Sequence, residues 1–279
     1  MRISRRAFLK TTLGATAGAG LVYPTVIEPW KLAIEKISIG LPALPAAFAG
    51  FKIVQLSDLH FQPFTTLRQI QHVVAVTNFL KPDLVLITGD FVTNGTGAMH
   101  ILAPELAKIR SSYGVIGCLG NHDRRGGGNS VADSLRASGI EMLINEGRTF
   151  SHRGAEIFLA GIDSVCNGSP DLRAALATRP PGMTTILLAH EPDFADTILP
   201  SAAVHLQLSG HSHGGQVCLP FIGPPFLPDW GRKYWHGLQT VGTTQVYTNR
   251  GIGTIGLPVR LGSKPEITEI TLQLVSLSS

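Results

Sequence analysis

Cysteine is scarce in this chain of 279 residues: Cys118, Cys166 and Cys218 stand far apart, an odd number with no paired-cysteine motif. That argues against a disulfide framework and against a thiolate-rich structural zinc site. Charge is also thin, at 15% Asp, Glu, Lys and Arg. The formal excess of +4 sits wholly in Arg2, Arg5, Arg6 and Lys10, because without them 19 basic residues face 19 acidic ones. No basic stripe is left to follow a phosphate backbone, so nucleic acid is not an expected partner. Internal repeats are missing. No apolar run reaches the ~20 residues a membrane-spanning helix needs. What is present, 44% apolar residues, describes a globular chain with enough material for one sizeable core.

The N-terminus reads as an address. Ser4-Arg5-Arg6-Ala7-Phe8-Leu9-Lys10 resembles a twin-arginine export signal, and the short Gly/Ala/Thr-rich run from Thr11 to Val22 fits its apolar region. The resemblance implies the twin-arginine translocation machinery as a partner and a place outside the cytoplasm: the periplasm, the cell envelope or the outer side of the membrane, with the segment removed or kept as an anchor. Three parts follow: a signal segment over 1–25, a linker or edge segment over 26–50, and one globular domain over 51–279. The middle part carries Pro29, Pro42 and Pro45, and Lys36 to Leu41 suits a short edge strand.

Within the body, strands are expected at Phe51 to Leu56, Asp83 to Thr88 and Tyr113 to Leu119, separated by helices at Leu67 to Leu80 and about Met99 to Arg110. A Gly-rich loop follows over Gly120 to Gly128. The second half is richer in strand, at Glu156 to Gly161, Thr184 to Ala189, Val204 to Ser209, Gln216 to Pro220, Thr244 to Thr248 and Glu266 to Val275. Such alternation predicts an α/β fold. Two facing mixed sheets with helices outside, an α/β/β/α sandwich of four layers, accommodate both halves. Phe221 to Trp230, rich in proline, is expected to pack as a cover over a sheet edge, the other reading being a surface that meets acyl chains or membrane.

Five short motifs begin where apolar runs stop: Asp58-Leu59-His60, Gly89-Asp90, Gly120-Asn121-His122-Asp123, His190, and Gly210-His211-Ser212-His213. Strand ends in α/β folds are where ligand sites collect, and carboxylates, an amide and imidazoles are donors that borderline divalent metals accept. The set and its order resemble the calcineurin-like metallophosphoesterase superfamily, from about Phe51 to the C-terminus. Within it the chain is most similar to a bacterial branch exported by the twin-arginine route, on stretches such as His190-Glu191-Pro192-Asp193 and Asn249-Arg250-Gly251.

The resemblance implies two divalent metal ions. Asp58, His60 and His213 would hold one, Asn121, His190 and His211 the other, and Asp90 would bridge them. Manganese is favoured, with iron or zinc admissible. It also implies His122 as general acid, and it leaves Arg250 either touching substrate phosphate or bracing a loop. Asp123 is expected to orient an imidazole. Protein phosphatases of the superfamily carry an acidic residue and an arginine soon after Gly-Asp. Here that stretch reads Phe91-Val92-Thr93-Asn94-Gly95, which points away from phosphoproteins. The expected activity is a phosphodiesterase acting on a small-molecule or lipid-linked phosphate ester. The alternatives are a pyrophosphohydrolase on a nucleotide-linked lipid and a non-catalytic, metal-stabilised binding module of the envelope.

Overall fold

Side chains alternate between two faces along the strands, and that alternation decides how the layers stack. In the computed structural model, which describes residues 22–275, twelve strands form two six-stranded sheets. The first sheet contains β1 (Ala33–Leu41), β2 (Lys52–Leu56), β3 (Leu84–Thr88), β4 (Val115–Cys118), β5 (Glu141–Met142) and β12 (Glu266–Leu274), in the order β1-β12-β2-β3-β4-β5. The second contains β6 (Glu146–His152), β7 (Ala155–Gly161), β8 (Thr185–Leu188), β9 (Leu206–Ser209), β10 (Gly237–Val241) and β11 (Thr244–Thr248), in the order β10-β11-β9-β8-β7-β6. Both are mixed: β2 to β5 and β7-β8-β9-β11 run parallel, while β12 opposes β2, β6 opposes β7 and β10 opposes β11.

Ile53, Leu84, Leu86 and Ile270 of the first sheet meet Leu159, Ile186, Leu188 and Leu206 of the second in one buried cluster, so the sheets face each other. The opposite faces carry the alternate residues. Val54, Leu56, Val85 and Ile87 pack under the helices α1 (Leu67–Leu80), α2 (Met99–Leu106) and α4 (Gly128–Ala137). Phe158, Ala160, Leu187 and Ala189 pack under a thinner cover that includes the one-turn helix α5 (Leu172–Ala175) and the 3-10 turn Pro192–Thr197. This is the expected four-layer arrangement. Helix α1 starts at a capping box, with Gln69 N donating to Thr66 Oγ1 at 3.3 Å and Thr66 N to Gln69 Oε1 at 2.8 Å.

Several boundaries differ from expectation. The edge strand is longer than Lys36–Leu41, because β1 pairs with β12 along its whole length, from Ala33 opposite Glu266 to Leu41 opposite Leu274. Gln216 to Pro220 is not a strand. Glycines at positive φ (Gly214 and Gly215) and Pro220 break the extended run, leaving isolated bridges of Val217 to Leu261 and Leu219 to Gly223. The Gly-rich loop contains the short helix α3 (Asn121–Arg125), whose first turn is held by Asp123 accepting from Gly120 N at 2.9 Å. Arg5 and Arg6 lie outside the described residues. Among the described residues no helix is long and apolar enough to cross a membrane.

Candidate metal centre

Every motif sits just past the C-terminal end of a parallel strand: Asp58 and His60 after β2, Asp90 after β3, Asn121 and His122 after β4, His190 after β8, His211 and His213 after β9. The two sheets bring these ends to one rim. Gln55 Nε2 donates across the interface to Ser209 O at 2.9 Å, and His190 Nδ1 donates to Thr88 O at 2.6 Å. Five of the seven proposed ligands (Asp58, His60, Asp90, His211, His213) have φ between 42° and 69°. That left-handed turn costs energy for residues with a Cβ. It bends the chain off each strand so that residues two apart point the same way.

All seven side chains are buried and converge. Asp90 Oδ2 lies 3.3 Å from His60 Nε2 and 3.2 Å from His190 Nε2, so one carboxylate oxygen stands between imidazoles of both sheets. Asp58 Oδ1 is 3.3 Å from His213 Nε2 and 3.9 Å from the Nε2 atoms of His60 and His190. Ligand atoms therefore gather into two candidate metal-binding groups, Asp58-His60-His213 and Asp58-Asp90-His190, that share Asp58. Asn121 Oδ1 stands 3.0 Å from His211 Nδ1 beside the second group.

Proton accounting tests whether the donors fit cations. His190 uses its Nδ1 proton on Thr88 O, and its Nε2 is buried with no hydrogen-bond partner. His211 donates Nε2–H to Asp229 O at 2.9 Å, so Nδ1 turns a lone pair toward the amide oxygen of Asn121. Lone pairs facing one another in a buried site repel unless a cation lies among them. The residues fit metal ions.

Electrostatics agree at Asp58, Asp90, His60, His211 and His213, but not at His190. Burial opposes ionisation of Asp58 and Asp90, yet His213 and His190 hold the Asp58 carboxyl, and His190 and His60 the Asp90 carboxyl, well below the usual range. Burial lowers His60, His211 and His213, favouring the neutral imidazole that can ligate. His190 is pushed up, its burial outweighed by Asp90 and Asp58. The backbone supports these carboxylates: His211 N donates to both oxygens of Asp58, at 3.1 and 3.0 Å, and His122 N to Asp90 Oδ1 at 2.8 Å.

A family model for calcineurin-like phosphoesterases matches residues 51–215. The chain is a calcineurin-like phosphoesterase. This phosphoesterase is similar to the metallophosphoesterase YkuE of Bacillus subtilis (strain 168), 40% identical over 284 residues that cover 98% of each chain. It is also similar to the phosphodiesterase YaeI of Escherichia coli (strain K12), 33% identical over 97% of this chain and 99% of that one. As in its family, the chemistry is metal-dependent hydrolysis of phosphoric esters.

The site opens into a cavity of about 550 Å³. His60, Asp90, Asn121, His122, His211 and His213 form its polar floor, while Val217, Pro225, Phe226, Pro228 and Ile255 form an apolar wall. His122 is half-buried, with Nδ1 donating to Thr93 O at 2.9 Å and Nε2 left for the cavity. Two expectations change. Arg250 does not line the cavity; its guanidinium is gripped by Glu35 and Glu266, which makes it a brace between strands. Asp123 reaches no imidazole and instead accepts from Gly120 N and Val92 N, at 2.9 and 3.2 Å. Burial, then the nearby Asp90 charge, pushes its carboxyl up to about 7.

No motif pointed to Arg260. It is fully buried, with donors on the carbonyls of Ser263 at 3.0 Å, Arg250 at 3.0 Å and Gly251 at 3.1 Å, and one nitrogen 3.3 Å from His213 Nδ1. Desolvation lowers its guanidinium to about 10. Glu191, quoted above only as part of a motif, anchors the loop beside His190 by accepting from Ser164 Oγ at 2.6 Å and Val165 N at 3.0 Å.

Proposed function

We propose that this phosphoesterase is an exported phosphodiesterase with a dinuclear centre, acting on a small-molecule or lipid-linked diester. Asp58, His60 and His213 would hold one ion and Asn121, His190 and His211 the other, with Asp90 available to both. The observation that carries the dinuclear reading is the position of Asp90 Oδ2 between His60 Nε2 and His190 Nε2, at 3.3 and 3.2 Å. Manganese is the proposed metal, with iron and zinc admissible. Bound divalent cations would supply Lewis acidity, neutralising phosphate oxygens and making a water acidic enough to attack at neutral pH.

The chain's own groups supply the rest. Asn121 offers an amide oxygen, which adds a donor without adding charge against an incoming phosphate. His122, fixed through Nδ1 on Thr93 O, presents Nε2 to the leaving oxygen and can deliver a proton there in its imidazolium form; burial lowers its pKa, so that form is favoured as pH falls. The apolar wall excludes water from one side of the cavity and suits an ester with an apolar arm. That same wall favours the second reading, a pyrophosphohydrolase on a nucleotide-linked lipid.

The test is turnover of purified, manganese-loaded protein on bis(4-nitrophenyl) phosphate, 4-nitrophenyl phosphate and a nucleoside-diphosphate lipid. The proposal expects the diester to be preferred over the monoester. His122→Ala should stay folded and metal-loaded. It should lose about 10²- to 10⁴-fold in rate on diesters with poor leaving groups, and less where 4-nitrophenol leaves. Full metal loading with no hydrolysis of any of the three would defeat the proposal.

A further inference from the structure

Large apolar side chains stand in water on the two loops that line the cavity. Phe221 and Ile222 are 110% and 77% exposed, and Phe226 and Leu257 are 74% and 67% exposed, so Phe221 to Trp230 is not the packed cover its sequence led us to expect. Single exposed apolar residues are ordinary, but a cluster at the edge of a binding site marks an interaction surface. The two loops that carry them are tied together: Gln216 Nε2 donates to Ile255 O at 2.9 Å and Cys218 N to Leu261 O at 2.6 Å.

The second loop also holds the start of the described chain. Arg260 N donates to Pro24 O at 2.9 Å, and Ser263 N to Glu28 Oε1 at 3.0 Å. Val22 therefore lies beside the loop that lines the cavity, with Val26 and Ile27 exposed next to it. The sequence that precedes Val22 is the apolar run from Thr11, preceded in turn by Arg2, Arg5, Arg6 and Lys10. Basic residues followed by apolar ones suit an anionic lipid surface. Trp30 and Trp230, each close to half exposed, add indoles of the kind that settle at a bilayer boundary.

Resting on the hydrolase reading above, we propose that this rim docks on a lipid bilayer and that the enzyme takes its ester from an amphiphile lying there. The headgroup phosphate enters over the metal-binding residues while the chains stay against Pro225, Phe226 and Ile255. Water adds to phosphorus, the P–O bond to the leaving group breaks, and the leaving oxygen takes the proton. A bilayer, rather than a second copy of the chain, is the occupant the basic and apolar N-terminal sequence favours.

The experiment uses the full-length, metal-loaded protein with vesicles of equal parts phosphatidylcholine and phosphatidylglycerol, with or without brominated acyl chains. In a Trp30→Phe/Trp235→Phe background, brominated vesicles should quench Trp230. Adding Phe221→Ser, Ile222→Ser and Leu257→Ser should abolish that quenching. The same three substitutions in the parent chain should leave hydrolysis of soluble bis(4-nitrophenyl) phosphate unchanged. They should cut hydrolysis of a vesicle-borne lipid diester of 4-nitrophenol by about tenfold or more. Unquenched Trp230 in vesicles, unchanged vesicle turnover in the triple variant, or a concentration-dependent dimer abolished by it would overturn the docking. Failure of the soluble diester to turn over would instead defeat the hydrolase reading, since quenching needs no catalysis.

Discussion

Replacing Gly210 by alanine tests whether the cluster depends on close approach of the two sheets' loops. The backbone there is outside the left-handed region, so alanine suits its dihedrals and only space is at issue. A Cβ would lie 1.9 Å from Ser57 Oγ and 2.1 Å from Asp58 Oδ2, where ordinary contact begins at 3.4 Å. Asp58 must then retreat by about 1.3 Å, away from the His211 amide that supports it and from His213. Displacing a reacting geometry by about 1 Å costs roughly 10²-fold, about 2.7 kcal/mol of transition-state stabilisation. Overpacking adds roughly 1–3 kcal/mol of lost stability. The assay combines metal content of dialysed protein, kcat/KM on bis(4-nitrophenyl) phosphate and thermal melting. Gly97→Ala serves as control, since nothing stands within 4 Å of its added Cβ. A Gly210→Ala enzyme with full metal content and unchanged kcat/KM would refute the reasoning.

Chelator treatment should abolish hydrolysis and lower the melting temperature, because the gathered lone pairs and carboxylates repel without cations; manganese should restore both, and an unaltered melting curve would count against the centre. Cys166, partly shielded and then opposed by the Glu191 charge, has its thiol pushed up to about 12. At pH 8 it should hold less thiolate than an ordinary cysteine, the effect being reduced by its exposure to solvent. Alkylation followed by mass spectrometry should find it slow, becoming faster as pH rises; labelling at a free-thiol rate would contradict this. Arg5→Lys together with Arg6→Lys should retain the protein in the cytoplasm of a bacterium with twin-arginine transport, which cell fractionation reads directly.

Buried parallel strands announce themselves as apolar runs, so β2, β3, β4, β8 and β9 were legible in the sequence, as were the polar residues that end them. Less legible were β6 and β10. Glu146–His152 and Gly237–Val241 are edge strands with few apolar residues, and only pairing with β7 and β11 makes them strands. Helix α3 hid among glycines because its start is set by Asp123, a local polar contact rather than a periodic face. Arg250 and Asp123 were placed by motif, but the partners that fix their roles, Glu35 and Glu266 for one and the Val92 amide for the other, lie in other chain segments. Arg260 could not have been found, since what keeps it buried is a ring of carbonyls that exists only once the loops around it have closed.

The register of β1 against β12 has a consequence for how the molecule is made. A chain grows from its N-terminus, yet the neighbour of β1, which starts at Glu266 opposite Ala33, is synthesised long after it. Since β12 also separates β1 from β2, β1 must wait unpaired until β12 has been made. Completing the first sheet is therefore a late, whole-chain event of high sequence separation, and slow for that reason. A nascent chain stalled short of β12 would expose the edge of β2 and leave β1 without a place, a ready target for chaperones and proteases.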